Sequence, residues 1–145
     1  MTRILAALAL ILAATTAPAQ TYSEPARGTQ LRADLMSAIR PHIEWQLGAP
    51  IEFVVNDLRV SGDLAFASLW AQRPGGAPID MARTPMAQLR GFDPMNDQPS
   101  IQVLYRKSGK VWVAVQHEIA ATDAWYSWAP ICAVWRPVIP DACNF

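Results

Sequence analysis

The chain has 145 residues, with 12 basic and 12 acidic side chains, and 52% of its residues are hydrophobic. This length suits a single domain. The balanced charge argues against a nucleic-acid partner or an anionic membrane surface held by bulk electrostatics. The six tryptophans indicate a compact core, because aromatic side chains bury a large area each.

Residues 1–19 are interpreted as an export signal and not as part of the fold. Arg3 supplies a minimal charged region, residues 4–14 form an apolar run, and an Ala-Pro-Ala cleavage signal follows. The apolar run is too short to span a bilayer as a stable helix. We therefore expect cleavage near Ala19-Gln20 and a periplasmic or secreted single domain over residues 20–145, without stable membrane insertion.

A long amphipathic helix is predicted after a short polar lead. Thr29 suits the N-cap position, and Gly48 suits the position just after the last turn. Its apolar stripe repeats every four residues, at Leu31, Leu35, Ile39, Ile43 and Leu47. Pro41 lies inside this stripe, where proline removes a backbone hydrogen bond and crowds the preceding turn. We expect one continuous helix that is kinked there.

Two strands are predicted next, over residues 51–60 and 64–71. The apolar residues of the first strand change parity midway, and a bulge near Asn56-Asp57 would place them on one face. Alternation in the second strand puts Phe66 and Trp70 on a common side.

Residues 72–100 are too long for an ordinary connection and are expected to be either functional or disordered. Thr84 as N-cap, Pro85 at the first helical position and Gly91 after the last predict a short helix within this segment. Gly75-Gly76 is the flexible point that would control access to the surface beneath the segment.

The clearest β-hairpin covers residues 101–119, where both arms alternate with a period of two. A three-residue loop over residues 107–109, with Gly109 in the left-handed conformation of a G1 bulge, keeps the odd-numbered residues of both arms on one buried face. In that register Val103 lies opposite Val113, and His117 lies beside Pro99.

A short C-terminal helix is predicted around Trp125 and Trp128, capped by Thr122 or Asp123 and stopped by Pro130. The tail after it should wrap back onto the domain.

Cys132 and Cys143 are the only two cysteines. In an oxidising compartment they are predicted to form a disulfide, worth about 3 kcal/mol for a loop of this size. The alternative is a metal or redox pair, but a neighbouring histidine and a third cysteine are missing.

Together these elements predict an α+β fold: one long kinked helix packed on a curved four-stranded antiparallel sheet, with a short C-terminal helix and a disulfide-tied tail. The order of one helix and four strands resembles the cystatin-like and ketosteroid-isomerase-like rolls. The R-V-S-G-D-x-A-F stretch over residues 59–66 is also similar to that of small exported bacterial proteins of unknown function. The resemblance implies a fold and not an activity. Cystatin inhibitors carry a Q-x-V-x-G motif in a hairpin loop, and the hairpin tip at residues 107–109 lacks it. The acid and base residues of the isomerases cannot be matched to positions in this sequence.

His117 is the main candidate for chemistry. It is the one polar side chain on an otherwise aliphatic strand face, and imidazole titrates near neutral pH. Asp80 and Asp123 are the carboxylates on segments that can close over this face. Further candidates for ligand contact are Tyr105, Arg83 and Trp70. The alternative is a core histidine bonded to a loop carbonyl, with Asp80 pinning the loop.

No metal site and no cofactor are predicted. His42 has no histidine or carboxylate at the spacing that a helical metal site needs, and no phosphate-binding glycine loop or nucleophile motif is present. We therefore favour a non-enzymatic exported module that binds a small apolar ligand or a protein partner. The alternatives are an isomerase- or hydrolase-type enzyme that uses His117 with a loop carboxylate, and an accessory protein of the cell envelope.

Overall fold

A computed structural model describes residues 21–144, so the predicted export signal at residues 1–19 lies outside the described residues. The elements are α1 (Gln30–Leu47), β1 (Glu52–Ser61), β2 (Leu64–Gln72), α2 (Pro85–Arg90), β3 (Ser100–Ser108), β4 (Val111–Ile119) and α3 (Ala129–Trp135). The strands form one antiparallel sheet in the order β1-β2-β3-β4. The predicted α+β class, with its four-stranded antiparallel sheet and short C-terminal helix, is confirmed. Between residues 21 and 144, no helix is both long and apolar enough to cross a membrane.

Helix α1 forms where its caps and apolar stripe predict it. The Thr29 hydroxyl accepts a hydrogen bond from the Arg32 amide, and the helix ends at Gly48, which has a φ of 80°. Four stripe residues are completely buried in the core: Leu35, Ile39, Ile43 and Leu47. Pro41 lies within the continuous helix; a kink at this residue stays a prediction. The helix packs mainly against β4.

The predicted bulge in β1 is confirmed. The register between β1 and β2 shifts between Val55 and Asp57, which brings Leu58 and Val60 into the core beneath α1. The short helix in the long connection is confirmed as α2, with the Thr84 hydroxyl accepting from the Ala87 amide.

The predicted connection of the β3–β4 hairpin is wrong. A two-residue turn at Gly109 and Lys110 leaves Ser108 paired with Val111, and Gly109 has the positive φ of 61° that such a turn favours at its first position. A bulge further along β4 then leaves Val115 unpaired, because Leu104 pairs with Gln116 and Tyr105 with Ala114.

This bulge changes which side chains of β4 face α1. Trp112 is buried before the bulge, whereas the three valines expected in the core are exposed: Val111, Val113 and Val115. After the bulge the odd-numbered residues turn inward, so Ile119 is buried and His117 pairs with Val103 instead of lying beside Pro99.

The C-terminal segment covers the opposite face of the sheet. Residues of α3 and the tail form a second apolar cluster with Phe66 and Leu104, and the predicted disulfide between Cys132 and Cys143 is confirmed. The predicted end of the C-terminal helix is wrong, because Pro130 is the second residue of α3, and proline is tolerated in the first turn of a helix. Neither Thr122 nor Asp123 caps a helix; a 3-10 turn, Trp125–Ser127, follows Ala124.

Arg59 fastens the first strand to this covering segment. Its guanidinium forms ion pairs with Asp57 and Asp141 and lies 4.8 Å from the ring centroid of Tyr22. The C-terminal tail and the residues before α1 are thereby joined at one side chain of the sheet.

We expect Ile39→Ala to lower the free energy of unfolding by about 2–5 kcal/mol, because the change leaves a cavity in a well-packed core. Ile39 is fully buried in the middle of α1. Urea unfolding measures the effect, with the exposed Ser37→Ala in the same helix as the control. A loss below about 0.5 kcal/mol would show that this face of α1 is not in the core.

The register of β4 is tested by two substitutions in neighbouring residues. Trp112→Ala should cost about 3–5 kcal/mol, whereas Val113→Thr, at a side chain that is 41% exposed, should change stability by no more than about 0.5 kcal/mol. The same unfolding measurement decides between the registers, since a buried Val113 would reverse the order of the two effects.

Candidate functional site

A cavity of about 610 Å³ lies at the carboxyl end of β4. Helix α1, helix α2, the turn over residues 93–97 and the segment after β4 all contribute to its wall. The polar side chains of the wall are Gln46, Arg90, Asp93, Asn96, Asp97, His117, Glu118, Thr122 and Asp123. Met86, Ile119 and Trp125 supply most of the apolar part.

The structure brings together two of the predicted site residues, His117 and Asp123, in the wall of this cavity. Arg90 and Asp97, which belong to the long connection over residues 72–100, line the same cavity as His117. Gly75 and Gly76, which were predicted to control access, do not line the cavity.

The other predicted residues lie elsewhere. Asp80 and Arg83 are exposed beside the 3-10 turn Met81–Arg83, outside the cavity wall. Tyr105 is fully buried in the core beneath α1, and burial raises the pKa of its phenol. Trp70 lies on the face of the sheet that points away from α1, since its neighbours in β2 are the buried core residues.

His117 is held by α1. Its Nε2 atom lies 2.9 Å from the side-chain amide of Gln46, and a hydrogen bond joins the two groups. The ring of His42 lies 5.4 Å away, centroid to centroid. Burial, and then repulsion from His42, lower the pKa of His117 below its ordinary value. The ring is therefore a neutral hydrogen-bonding group at pH 7.

On the α2 side, the wall of the cavity contains charged and polar side chains that are hydrogen-bonded to one another. Arg90 donates to the buried Asp97 at 2.6 Å, and the second oxygen of Asp97 accepts from the Asp93 amide at 2.8 Å. Asp93 in turn accepts from the Asn96 side chain and the Met95 amide, which lowers the pKa of its carboxyl group. These bonds hold the turn over residues 93–97 against α2.

The opposite wall follows a sharp change of direction after β4. Ala120 has a φ of 60°, which costs an alanine roughly 1–2 kcal/mol, while its amide still donates to the Ser100 carbonyl at 2.9 Å. The chain then runs along the cavity to Trp125, whose buried indole N–H has no partner among residues 21–144.

The wall carries more acidic than basic side chains. Asp93, Asp97, Glu118 and Asp123 are opposed by Arg90 alone, and Arg90 is paired with Asp97. Glu118 and Asp123 make no ion pair within the part of the chain that the structure describes. Nor does any group of three or more histidine, cysteine or acidic side chains among residues 21–144 have the geometry to hold a metal ion.

Several wall residues were not anticipated from the sequence. Gln46 follows His42 by one helical turn, so its position on the same side of α1 was available from the spacing. Arg90 and Asp97 carry no such signal, because their pairing depends on how the chain turns after Gly91.

Comparisons with protein families, with curated proteins and with solved structures find no match to this chain. The site is therefore interpreted from its own residues.

We expect the titration midpoint of His117, followed by NMR of the ring protons, to lie below the ordinary value of 6.5. His42→Gln should raise this pKa, because it removes the repulsion from the His42 ring. The folded state then takes up the proton less readily than the unfolded chain, so the free energy of unfolding should fall as the pH drops from 6.5 through the lower folded pKa. A midpoint above 6.5, or no movement in His42→Gln, would contradict this account.

Proposed function

We propose that this chain is an exported, non-enzymatic module that binds a small molecule in the cavity beside His117. The observation that carries the proposal is the cavity itself: about 610 Å³ falls within the usual range of small-ligand sites, and several polar groups converge on it. The chain's disulfide supports an oxidising compartment. The order of one long helix and four sequential antiparallel strands supports a roll of the cystatin-like or ketosteroid-isomerase-like kind.

A polar ligand suits this cavity better than the apolar ligand expected from the sequence. Buried polar groups of the protein lose hydrogen bonds to water when a ligand enters, and an apolar ligand returns none of them. Glu118 and Asp123 line the cavity and make no ion pair among residues 21–144, so an apolar ligand would displace water from their carboxylates without replacing its hydrogen bonds. A ligand with its own donors and acceptors avoids this cost.

The hydrogen-bond partner of His117 favours a binding function over a catalytic one. A general base of the histidine–carboxylate kind is oriented by a carboxylate that accepts from the second ring nitrogen. His117 is bonded to the amide of Gln46, and no carboxylate accepts from its ring among the described residues. The arrangement positions a hydrogen-bonding group without raising its basicity.

A hydrolase- or isomerase-type enzyme is the second candidate. It is favoured by one observation, that His117 and Asp123 line the same cavity. In this case both residues would act on the substrate directly, one as a base and the other as an acid or a charge stabiliser.

The binding proposal predicts saturable binding of at least one of three matched probes: 2-phenylethylammonium, 3-phenylpropionate and 2-phenylethanol. Two-dimensional NMR at pH 8 should show the shifts concentrated at the His117 ring and the Trp125 indole. His117→Gln should lower the affinity for the bound probe about tenfold, or 1.4 kcal/mol, with little change in melting temperature. His42→Gln, outside the cavity wall, is the matched control and should bind normally.

If none of the three probes binds, the proposed binding function is contradicted. Hydrolysis of p-nitrophenyl acetate that is lost in both His117→Gln and Asp123→Asn would support the enzyme instead.

A further inference from the structure

Two histidines from distant parts of the chain lie side by side next to the edge strand β4. His42 belongs to α1 and His117 to β4, and their ring centroids are 5.4 Å apart with the ring planes inclined by 45°. They are the only two histidines of the chain. Spacing along α1 alone could not reveal this pair, because its second member comes from the sheet.

The distance between the two rings is close to the one that a shared metal ion requires. A zinc ion lies about 2.1 Å from an imidazole nitrogen and therefore about 3.2 Å from the ring centroid. Two imidazoles that bind one ion at the tetrahedral angle then have their centroids about 5.2 Å apart. The observed 5.4 Å means that α1 and β4 need not move for both rings to reach the same ion.

The ring nitrogens are accessible to an ion. Gln46 is bonded to Nε2 of His117. Nδ1 of His117 and both ring nitrogens of His42 make no hydrogen bond among residues 21–144. His42 is exposed and His117 is half-buried, so water can complete the coordination of an ion held between them.

Packing fixes the two elements that carry the histidines. Ile43 follows His42 directly and is fully buried, and Ile119, two residues after His117, is also buried. The bulge at Val115 turns His117 towards α1. Because both backbones are already held in place, little conformational freedom is lost when the two rings bind one ion, which favours the shared site over either ring alone.

The donor atoms select the class of ion. Imidazole nitrogen suits zinc, copper and nickel, whereas magnesium and calcium prefer oxygen ligands. We propose that His42 and His117 together bind one divalent transition-metal ion of the zinc and copper class, with water in the remaining coordination positions. Two protein ligands supply about half of the binding free energy of a four-ligand site, which gives a Kd on the order of 10 µM. This site goes beyond the proposed function, because it requires no ligand in the cavity.

Zinc is the probe for the test, because it has no redox chemistry and leaves the NMR signals of both rings visible. At about pH 7.5, where an imidazole is mostly neutral, zinc should shift the ring protons of His42 and His117 together, with one Kd on the order of 10 µM. Magnesium at the same concentration should shift neither ring. Excess zinc should also raise the melting temperature, because the ion binds the folded arrangement of helix and strand.

Substitutions distinguish a shared ion from an ion on one ring. His42→Gln and His117→Gln should each lower the zinc affinity at least about tenfold, and the double change should lose little more, because removing one ring already abolishes the shared site. His42 is exposed, so His42→Gln tests the site even where His117→Gln lowers stability. Asp34→Asn removes a carboxylate two turns earlier in the same helix; it is the control and should leave the zinc affinity unchanged.

The outcomes decide this proposal separately from the cavity ligand. Shifts confined to one ring, or a zinc affinity that His42→Gln leaves unchanged, would overturn the shared site. Equal shifts with magnesium, or no shift of either ring at about 1 mM zinc, roughly 100 times the expected Kd, would also overturn it. The organic probes of the cavity are titrated with a chelator present, so His42→Gln remains their control and the failure of one proposal leaves the other standing.

Discussion

The extra residue in β4 decides which side chains of that strand face α1, and the cavity depends on it. Without the bulge at Val115, a two-residue turn that buries Trp112 would leave His117 pointing away from the helix. With the bulge, β4 buries Trp112 near the turn and still presents His117 to Gln46 at its other end. Bulges re-aim side chains in this way near the edges of sheets, and β4 is an edge strand.

The sheet is covered on both faces, which leaves the end of β4 as the place where separate segments meet. Helix α1 covers one face, and α3 with the disulfide-tied tail covers the other. Arg59 pairs with Asp57 of its own strand and with Asp141 of the tail, so the outer cover is held by charge as well as by apolar contact. Glu118 and Asp123 of the cavity wall belong to none of these contacts and are exposed, so they can be replaced with less damage to the core.

The features that were predictable from the sequence are those with local causes. Thr29 and Gly48 bound α1, Thr84 and Pro85 begin α2, and two cysteines in one tail form the disulfide. The predicted register of the β3–β4 hairpin was wrong because the apolar alternation of its two arms is compatible with two registers. The choice between burying Trp112 and burying Val113 depends on packing against α1, which no local pattern contains.

The candidate site, too, was predictable only where its residues have a signal in the local sequence. His117 stood out as a polar residue on an aliphatic strand, and Asp123 follows the hairpin closely, so both were found. Trp70 was misplaced because alternation states that two residues share a face and not which cover lies over it. Tyr105 lies on the same face as His117 but is fully buried in the core beneath α1. Arg90 and Asp97 were missed because seven residues separate them and only the folded turn makes them a pair.

The long connection over residues 72–100 acts as a fixed wall. Arg73 donates to the carbonyl of Leu47 at 2.9 Å and so ties the start of the segment to the end of α1, where a positive charge is favourable. Thr84 is buried, yet its hydroxyl is satisfied by donating to the Met81 carbonyl and accepting from the Ala87 amide, which fixes the start of α2. From this anchored helix Met86 and Arg90 face the cavity. Because this short helix supplies part of the wall, a change in its position would alter the cavity.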